Sequence, residues 1–552
     1  MWSLPLTERG TGAYSKYGIS LVPAGTPVVP ATYDAAGLTT ALTTASSGSK
    51  LVRLDANLTL ASNVTVPADV SLFSASAVSV SGTGKLVLNS RSKVIGLKFV
   101  GAATIAITFE TSNGITGAII ACCDFMPAVS NSTAIKDEST ANNSLHSGVS
   151  IVRNYFNGHE YAVFGVRSTA FVVEWNECVN SKGRNIQFSG GKNHLIRYNR
   201  IDSGVTGISF LLDAQYGTYA AGCHGNQITG NWLKNITEEA ISADIFGNNA
   251  TSVSVRDQFV INSKQGSYNS NPEFVVNRAA RMFPANRSIV FVTGGAAGKC
   301  ARLVYDDTVV ASTTIYLRAA NDQLTSSDFA AVQAGDVVTV AHTFVDSVIE
   351  RNRIEITTTN AVGIYLYGNS FRNRVSSNVI SHLAGNDAIR IDSLNGLMAS
   401  NDGNRNTTTS TQCAPSSDNI VSHNTISVGK ITIRGYSYDS EANSFPATYR
   451  NVVRNNAVGL VISDKWTGNS GATVFTTFVA DCNDGSLETN NAALPTDAVG
   501  GRLPVGSALT AGGVYIGSIT GFDGKTFQNP PSIGAYEYIR PRTVRTTFNP
   551  RT

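Results

Sequence analysis

The chain has 552 residues, 42% of them hydrophobic and only 15% charged, with 50 Gly and 16 Pro. That apolar share supports a sizeable core and excludes global disorder, and the length calls for one large architecture or two to four smaller units. A formal net charge of +3, with no basic run or basic-aromatic stripe, excludes a chain organised around nucleic acid.

Residues 1–33 are punctuated by Gly and Pro, carry no repeat, and read as an attachment or capping arm. The start, Met1-Trp2-Ser3-Leu4, has neither the basic nor the apolar region of a secretory signal, although a processed mature chain would read the same way. Nothing approaches 18 consecutive apolar residues, so no membrane insertion is expected. Residues 34–47 predict one short helix closing the end of a solenoid. Strands then follow quickly at Leu51–Leu54, Leu58–Leu60, Val64–Val66, Val70–Phe73, Ala77–Val80 and Leu86–Leu88.

From about residue 92 one phrase recurs: a short β-branched run, an Asn, then another apolar alternation. The Asn slot falls at Asn154, Asn176, Asn199, Asn231, Asn352, Asn378, Asn424 and Asn455, with Leu97 and Asp124 in two weaker early copies. Three strands and three turns fill a period of roughly 22–26 residues, and so short a unit must stack on its neighbours to bury a core. Asn is expected here because it tolerates the left-handed bend between strands, and because stacked amides can bond along the axis. A second phrase alternates strictly, as in Asn185-Ile186-Gln187-Phe188 and Ala388-Ile389-Arg390-Ile391. Period 2 turns its aliphatics inward and Gln187, Ser209, Ser242, Tyr365, Arg390 and Thr432 outward. A propeller blade would need about 40–45 residues, and a sandwich would show no fixed Asn slot. The fold class predicted is all-β: a right-handed parallel β-helix solenoid with an inserted small β domain and a non-repeat C-terminal β region.

The first part of the helix is expected over 34–250 and the second over 346–465. Between them, 251–345 predicts an inserted β-rich domain, with strands at Ser288–Thr293, Ala301–Tyr305, Thr314–Arg318 and Asp336–Ala341. Leu397–Asp418 reads as a long polar surface loop. Residues 466–552 lose the repeat and end in a strand pair and a basic extension at Arg540, Arg542, Arg545 and Arg551. Seven scattered Cys without a CxxC pair read as buried thiols, not as disulfides or metal ligands.

The opening, Asp34 to Phe73 with Leu51-Val52-Arg53-Leu54 and Val66-Pro67, resembles the first rungs of pectate-lyase-type β-helix proteins, which include bacteriophage tailspikes. Pro530-Pro531-Ser532-Ile533-Gly534-Ala535-Tyr536 is similar to the terminal segment of bacterial β-helix proteins that act on polysaccharides. The resemblance implies a bacterial surface polysaccharide as partner and a homotrimer. It also implies a virion location, with the N-terminal arm docked on a phage tail or baseplate protein; the alternative is a secreted protein. Fold analogy leaves the chemistry open.

A glycosidase needs one carboxyl as acid and another as base or nucleophile, roughly 5–5.5 Å apart for retention and 6.5–9.5 Å for inversion. Aligning the outward strands on their first buried Ile puts Asp244 and Asp392 in equivalent slots, and Glu239 and Asp387 in another. Each pair spans two rungs, about 9.6 Å. Asp213, a rung earlier, is a third possible carboxylate. Tyr365 and Tyr367 are expected to stack on sugar, Arg390 and Arg434 to hold an anionic substituent, and Gln187 to bind substrate. A lyase would instead draw on Arg390, Arg434, Lys430, Tyr365 and His382 to neutralise a uronate and abstract its proton. Gly385–Ile391 resembles the paired-Asp strand of polygalacturonases, with Ala388 where that family carries its second Asp. Asp at a strand end also commonly caps a turn. His423, beside the Asn slot, reads as a packing side chain. No cofactor and no metal are called for, since the carboxylates are too thinly spread to ligate Ca²⁺. Three functions stay open: a tailspike-type depolymerase hydrolysing capsule, exopolysaccharide or O-antigen; a polysaccharide lyase on the same fold; and a non-catalytic glycan-binding or structural fibre.

Overall fold

The computed structural model describes residues 25–467 except 113, 139–145, 212–222, 245–256, 269–270, 277–287, 292–293, 297–299, 303–314, 319–325, 342, 368–369, 396–412, 415, 438–447, 450 and 459–460, and beyond them Leu487–Thr489, Thr526 and Ala535. Most of the N-terminal arm, most of the 397–418 loop, Asp213 and the C-terminal arginines lie outside the described residues.

A helix, Ala35–Ser47, closes the first rung. Asp34 caps it by accepting the Gly37 N–H at 2.7 Å, and Leu38, Ala41, Leu42 and Ala45 lie buried along one face against the opening strands. Beyond the helix, strands stack in three long parallel files, with a short fourth from Cys223–His224 to Thr448–Tyr449. The first runs from Leu51–Leu54 to Leu487–Thr489, the second from Leu58–Leu60 to Thr425–Val428, and the third from Val64–Val66 to Val461–Thr467. The register sets aliphatic over aliphatic: Ile151 on Val173, Val173 on Ile196, Ile196 on Ile228, Ile228 on Ile349. Each such buried side chain contributes about 1.5–3 kcal/mol. The chain is a right-handed parallel β-helix, and at about 4.8 Å per rung the stack is on the order of 60 Å long.

Three local expectations are corrected. Val70–Phe73 and Ala77–Val80 belong to one strand, Ser71–Gly82, whose first half pairs with Leu51–Leu54 and second half with Leu58–Leu60. The ladder Asn is not the left-handed residue. Positive φ falls on the residue before it, at Arg153, Trp175, Tyr198, Gly230, Arg351, Ser377, His423 and Asn455. That bend turns the following Asn inward, where its Nδ2 donates to the next Asn Oδ1 at 2.9–3.0 Å from Asn154 through Asn424. The same Nδ2 also donates to a backbone carbonyl of the preceding rung. The last slot is therefore Asn456, not Asn455, which instead contacts His423 at 3.2 Å.

Residues within 257–341 form a separate six-stranded antiparallel sheet, with a short helix at Ser326–Ala331 and Phe274 packed on Phe291 and Phe329. Its Val337–Ala341 strand lies against Cys413–Ala414, which pairs with the end of the Asp387–Asn395 strand. Ala535 is fully buried and donates its N–H to Thr425 Oγ1 at 2.8 Å, against the second file. Among the described residues no helix is long and apolar enough to cross a membrane.

Candidate functional site

The third file carries the outward residues singled out by the alternation. Backbone register aligns one row as Gln187, Ser209, Ser242, Tyr365, Arg390 and Thr432. Two residues further along each strand, a second row reads Leu211, Asp244, Tyr367, Asp392, Arg434 and Asp464. Asp244 and Asp392 thus flank Tyr367, two rungs apart. The side chains of Asp244 and Arg434 lie outside the described residues.

The Asp387–Asn395 strand concentrates the chemistry. Asp392 Oδ2 accepts the Tyr365 hydroxyl at 2.5 Å and Arg390 Nε at 2.8 Å, with Arg390 Nη2 at 2.7 Å. The same guanidinium reaches Asp387, Nη1 to Oδ2 at 3.6 Å. Asp387 Oδ1 in turn accepts the Thr432 hydroxyl at 2.5 Å and lies 3.6 Å from Lys430 Nζ. The register shifts between Asp387 and Ile389, and this bulge brings Asp387 to the outward side despite its sharing the parity of inward Ile389. With a guanidinium fork about 2 Å wide, the Oδ2 atoms of Asp387 and Asp392 are no more than about 9 Å apart.

Electrostatics follow from burial and these pairs. Burial, with the Asp392 charge adding to it, holds the Tyr365 phenol well above the ordinary tyrosine range, so it stays a donor. Burial opposes the Arg390 charge, but Asp392, Tyr365 and Asp387 outweigh it and lift its pKa above the usual arginine value. The guanidinium stacks 4.8 Å from the Tyr365 ring centroid, and Tyr367 meets Tyr365 edge-on at 5.0 Å.

Several expected site residues sit differently. Arg390 is engaged by two carboxylates and is not held out for a substrate anion. Glu239 pairs by register with Val362 and takes a 3.4 Å hydrogen bond from Thr206; its slot matches that of Asp387, but the bulge commits Asp387 to Arg390, Lys430 and Thr432 instead. Gln187 lies three rungs from Tyr365, is only 4% exposed, and spends its amide on Ser189 and Arg184. Both outward rows are covered in part: Ser209, Ser242 and Thr432 of the first and Asp392 of the second are buried, while Tyr365 and Arg390 are half-buried. His382 is not placed to act as a base. Its Nδ1 accepts the Leu383 N–H and its Nε2 contacts the Ala361 carbonyl at 2.7 Å, while burial lowers its pKa. Thr432 and Ser416, whose Oγ donates to the Asp392 carbonyl at 2.8 Å, support the cluster and were not singled out for a role there. The alignment of Thr432 with Arg390 was the available signal for the first.

No protein-family model matches the chain, and no curated protein matches it by sequence. Among solved structures it is similar to the Dettilon tailspike protein gp208 (10% identity, TM-score 0.37, 75% of this chain) and spans 66% of that protein's length. It is also similar to the periplasmic alginate epimerase AlgG (11%, 0.37, 81% of this chain and 78% of that one). A third is the catalytic domain of a GH87 α-1,3-glucanase bound to tetrasaccharides (10%, 0.38, 81% and 71%). At these values the likeness carries no chemistry, and the fold stands on the strand register.

Proposed function

We propose that the chain binds and hydrolyses a bacterial surface polysaccharide, capsule, exopolysaccharide or O-antigen, in the manner of a phage tailspike depolymerase. The observation that carries this reading is Arg390 joining two carboxylates, Asp387 and Asp392, beside two tyrosine rings on one outward strand face. A carboxylate held by a permanently charged guanidinium serves as base or charge stabiliser rather than as proton donor. Asp392 takes that role by drawing a proton from the attacking water. Asp244, two rungs or about 9.6 Å along the same row, supplies the acid that protonates the leaving oxygen, a spacing close to the inverting range. Tyr367 lies between them as a surface for the sugar ring. Because Tyr365 occupies Asp392 Oδ2, substrate must displace that hydroxyl for water to reach the carboxylate. Assembly as a homotrimer and docking through the N-terminal arm to a phage tail belong to the same proposal.

One observation favours a non-catalytic reading: Asp392 has no exposed surface, and its pairing with Arg390 and Tyr365 suits a structural strut in a glycan-binding fibre. The test follows fragment size, reducing ends and ultraviolet absorbance together while the protein digests purified capsular, exopolysaccharide and O-antigen polymers. Hydrolysis yields reducing ends without absorbance, and Asp392→Asn and Asp244→Asn each lower the rate about 10²–10⁴-fold. Unsaturated, absorbing products would assign a lyase. Binding without fragments would assign the fibre, and unchanged rates in both variants would remove these residues from the mechanism.

A further inference from the structure

The turn between the first and second files, away from the Asp392 cluster, carries an aromatic platform. Each rung from Cys122 to Arg351 places one left-handed residue there, followed by a buried Cys123 or Asn, whereas the later occupants Ser377, His423 and Asn455 are themselves buried. In successive rungs the slot holds Cys122, Arg153, Trp175, Tyr198, Gly230 and Arg351. Bulky side chains are uncommon at positive φ. The rungs bearing cysteine, glycine or arginine keep the same register, so the solenoid itself does not require Trp175 or Tyr198.

The two rings stack at 4.6 Å and 28°. Beneath Tyr198 lies Gly230, where an added Cβ would come within 2.7 Å of the Tyr198 ring, so the glycine leaves that ring its seat. Trp175 is 47% exposed, the open member of the stack. The charges around it are paired across rungs. Arg197 Nε meets Glu174 at 2.5 Å and Arg200 Nη1 meets Glu177 at 3.0 Å, with the Arg197 guanidinium 5.7 Å from the Tyr198 ring. Trp232, on the strand beside this turn, is flanked by Arg200 and Arg353 at 5.2 and 5.5 Å.

We propose that Trp175 and Tyr198 form a glycan-holding site, separate from the Asp392 cluster, for a pyranose unit of the polysaccharide. The proposal takes from the functional reading only that the ligand is a polysaccharide. A sugar lays its C–H face on the exposed indole, and its hydroxyls meet donors and acceptors that the ion pairs hold fixed. Local charge balance points to an uncharged sugar unit rather than a polyanion. A protein partner would call for a cluster of apolar anchors. The other exposed large hydrophobics among the described residues, Val29, Met126 and Val428, lie outside this turn.

The experiment measures binding of the full-length protein to an array of purified capsular, exopolysaccharide and O-antigen polymers, with cleavage followed in parallel. Trp175→Asn suits the left-handed backbone, so the rung keeps its conformation. It is expected to weaken binding to the best-bound polymer by about tenfold or more, with Trp175→Tyr restoring most of the affinity. Binding by Trp175→Asn at the wild-type level overturns the platform, as does failure of the wild type to bind any polymer. A change in sedimentation would instead make the ledge a contact between copies of this chain, and would equally remove the glycan assignment. A wild type that binds a polymer without cleaving it, with that binding weakened in Trp175→Asn, would sink the hydrolase reading and leave the platform standing.

Discussion

Replacing Asn199 with Ala tests the mechanical premise of this fold. The Asn199 side chain makes four buried hydrogen bonds. Its Nδ2 donates to Asn231 Oδ1 at 3.0 Å and to the Val173 carbonyl at 2.8 Å, and its Oδ1 accepts both the N–H and the Nδ2 of Asn176 at 3.0 Å. Two of the four losses are cushioned, because Asn231 Oδ1 keeps the Asn199 N–H and Asn176 Nδ2 keeps the Ile151 carbonyl. The Asn176 N–H and the Val173 carbonyl lose these bonds in a site with no exposure. At about 1–3 kcal/mol for each buried group left unpaired, the variant should cost about 2–6 kcal/mol.

The matched control is Asn157→Ala. Asn157 takes a 2.9 Å hydrogen bond from Asn180 in an exposed rung-to-rung pair, and its loss should stay within about 0.5 kcal/mol. Native-state hydrogen exchange reads the difference locally, which suits a solenoid whose rungs contact only their neighbours. In Asn199→Ala the Asn176 amide should exchange faster by the corresponding factor, with distant rungs unchanged. Equal exchange of that amide in the two variants would refute the claim that the amide ladder holds the rungs together.

Two further outcomes follow from burial. Burial holds the imidazole pKa values of His159 and His423 at about 4 and of His194 at about 3, so all three stay neutral in the fold while the unfolded chain protonates near 6.5. Their contribution is therefore complete above pH 6.5 and is lost as pH falls below it, by about 2 kcal/mol each at pH 5. Unfolding midpoints at pH 7 and 5 should show this, and a midpoint that rose on acidification would contradict it. Burial also pushes the Cys123 thiol up to about 12 and raises Cys178, so neither should react with a thiol reagent until the protein unfolds.

The solenoid was legible in the sequence because stacking forces repetition: an inward aliphatic must sit on an inward aliphatic, and the ladder amide on the next ladder amide. A second ladder was equally available and was missed. Asn373, Asn419 and Asn451 bond Nδ2 to Oδ1 at 3.0 and 2.9 Å, each five residues before Asn378, Asn424 and Asn456. Asn226 holds the same offset from Asn231. The left-handed residue, in contrast, left no signal, because Arg, Trp, Tyr, Gly, Ser and His all occupy it. The equivalence of Asp244 and Asp392 followed from period 2 alone. The contact between Asp387 and Arg390 did not, since it depends on a bulge that alternation cannot reveal.

The same division explains why the fold was easier to read than the chemistry. Inward positions answer to one constraint repeated at every rung, so each copy informs the others. Outward positions share only a spacing. The row Asp244, Tyr367, Asp392, Arg434, Asp464 alternates aspartates with unlike residues, although the backbone beneath it is uniform. A solenoid can therefore exchange its outward row with little cost to its core, and a site on it is defined by which residues meet rather than by one residue repeated at every rung. Arg390 illustrates the point. Its rung equivalents are Tyr365 and Thr432, and where these three meet two carboxylates converge on one cation.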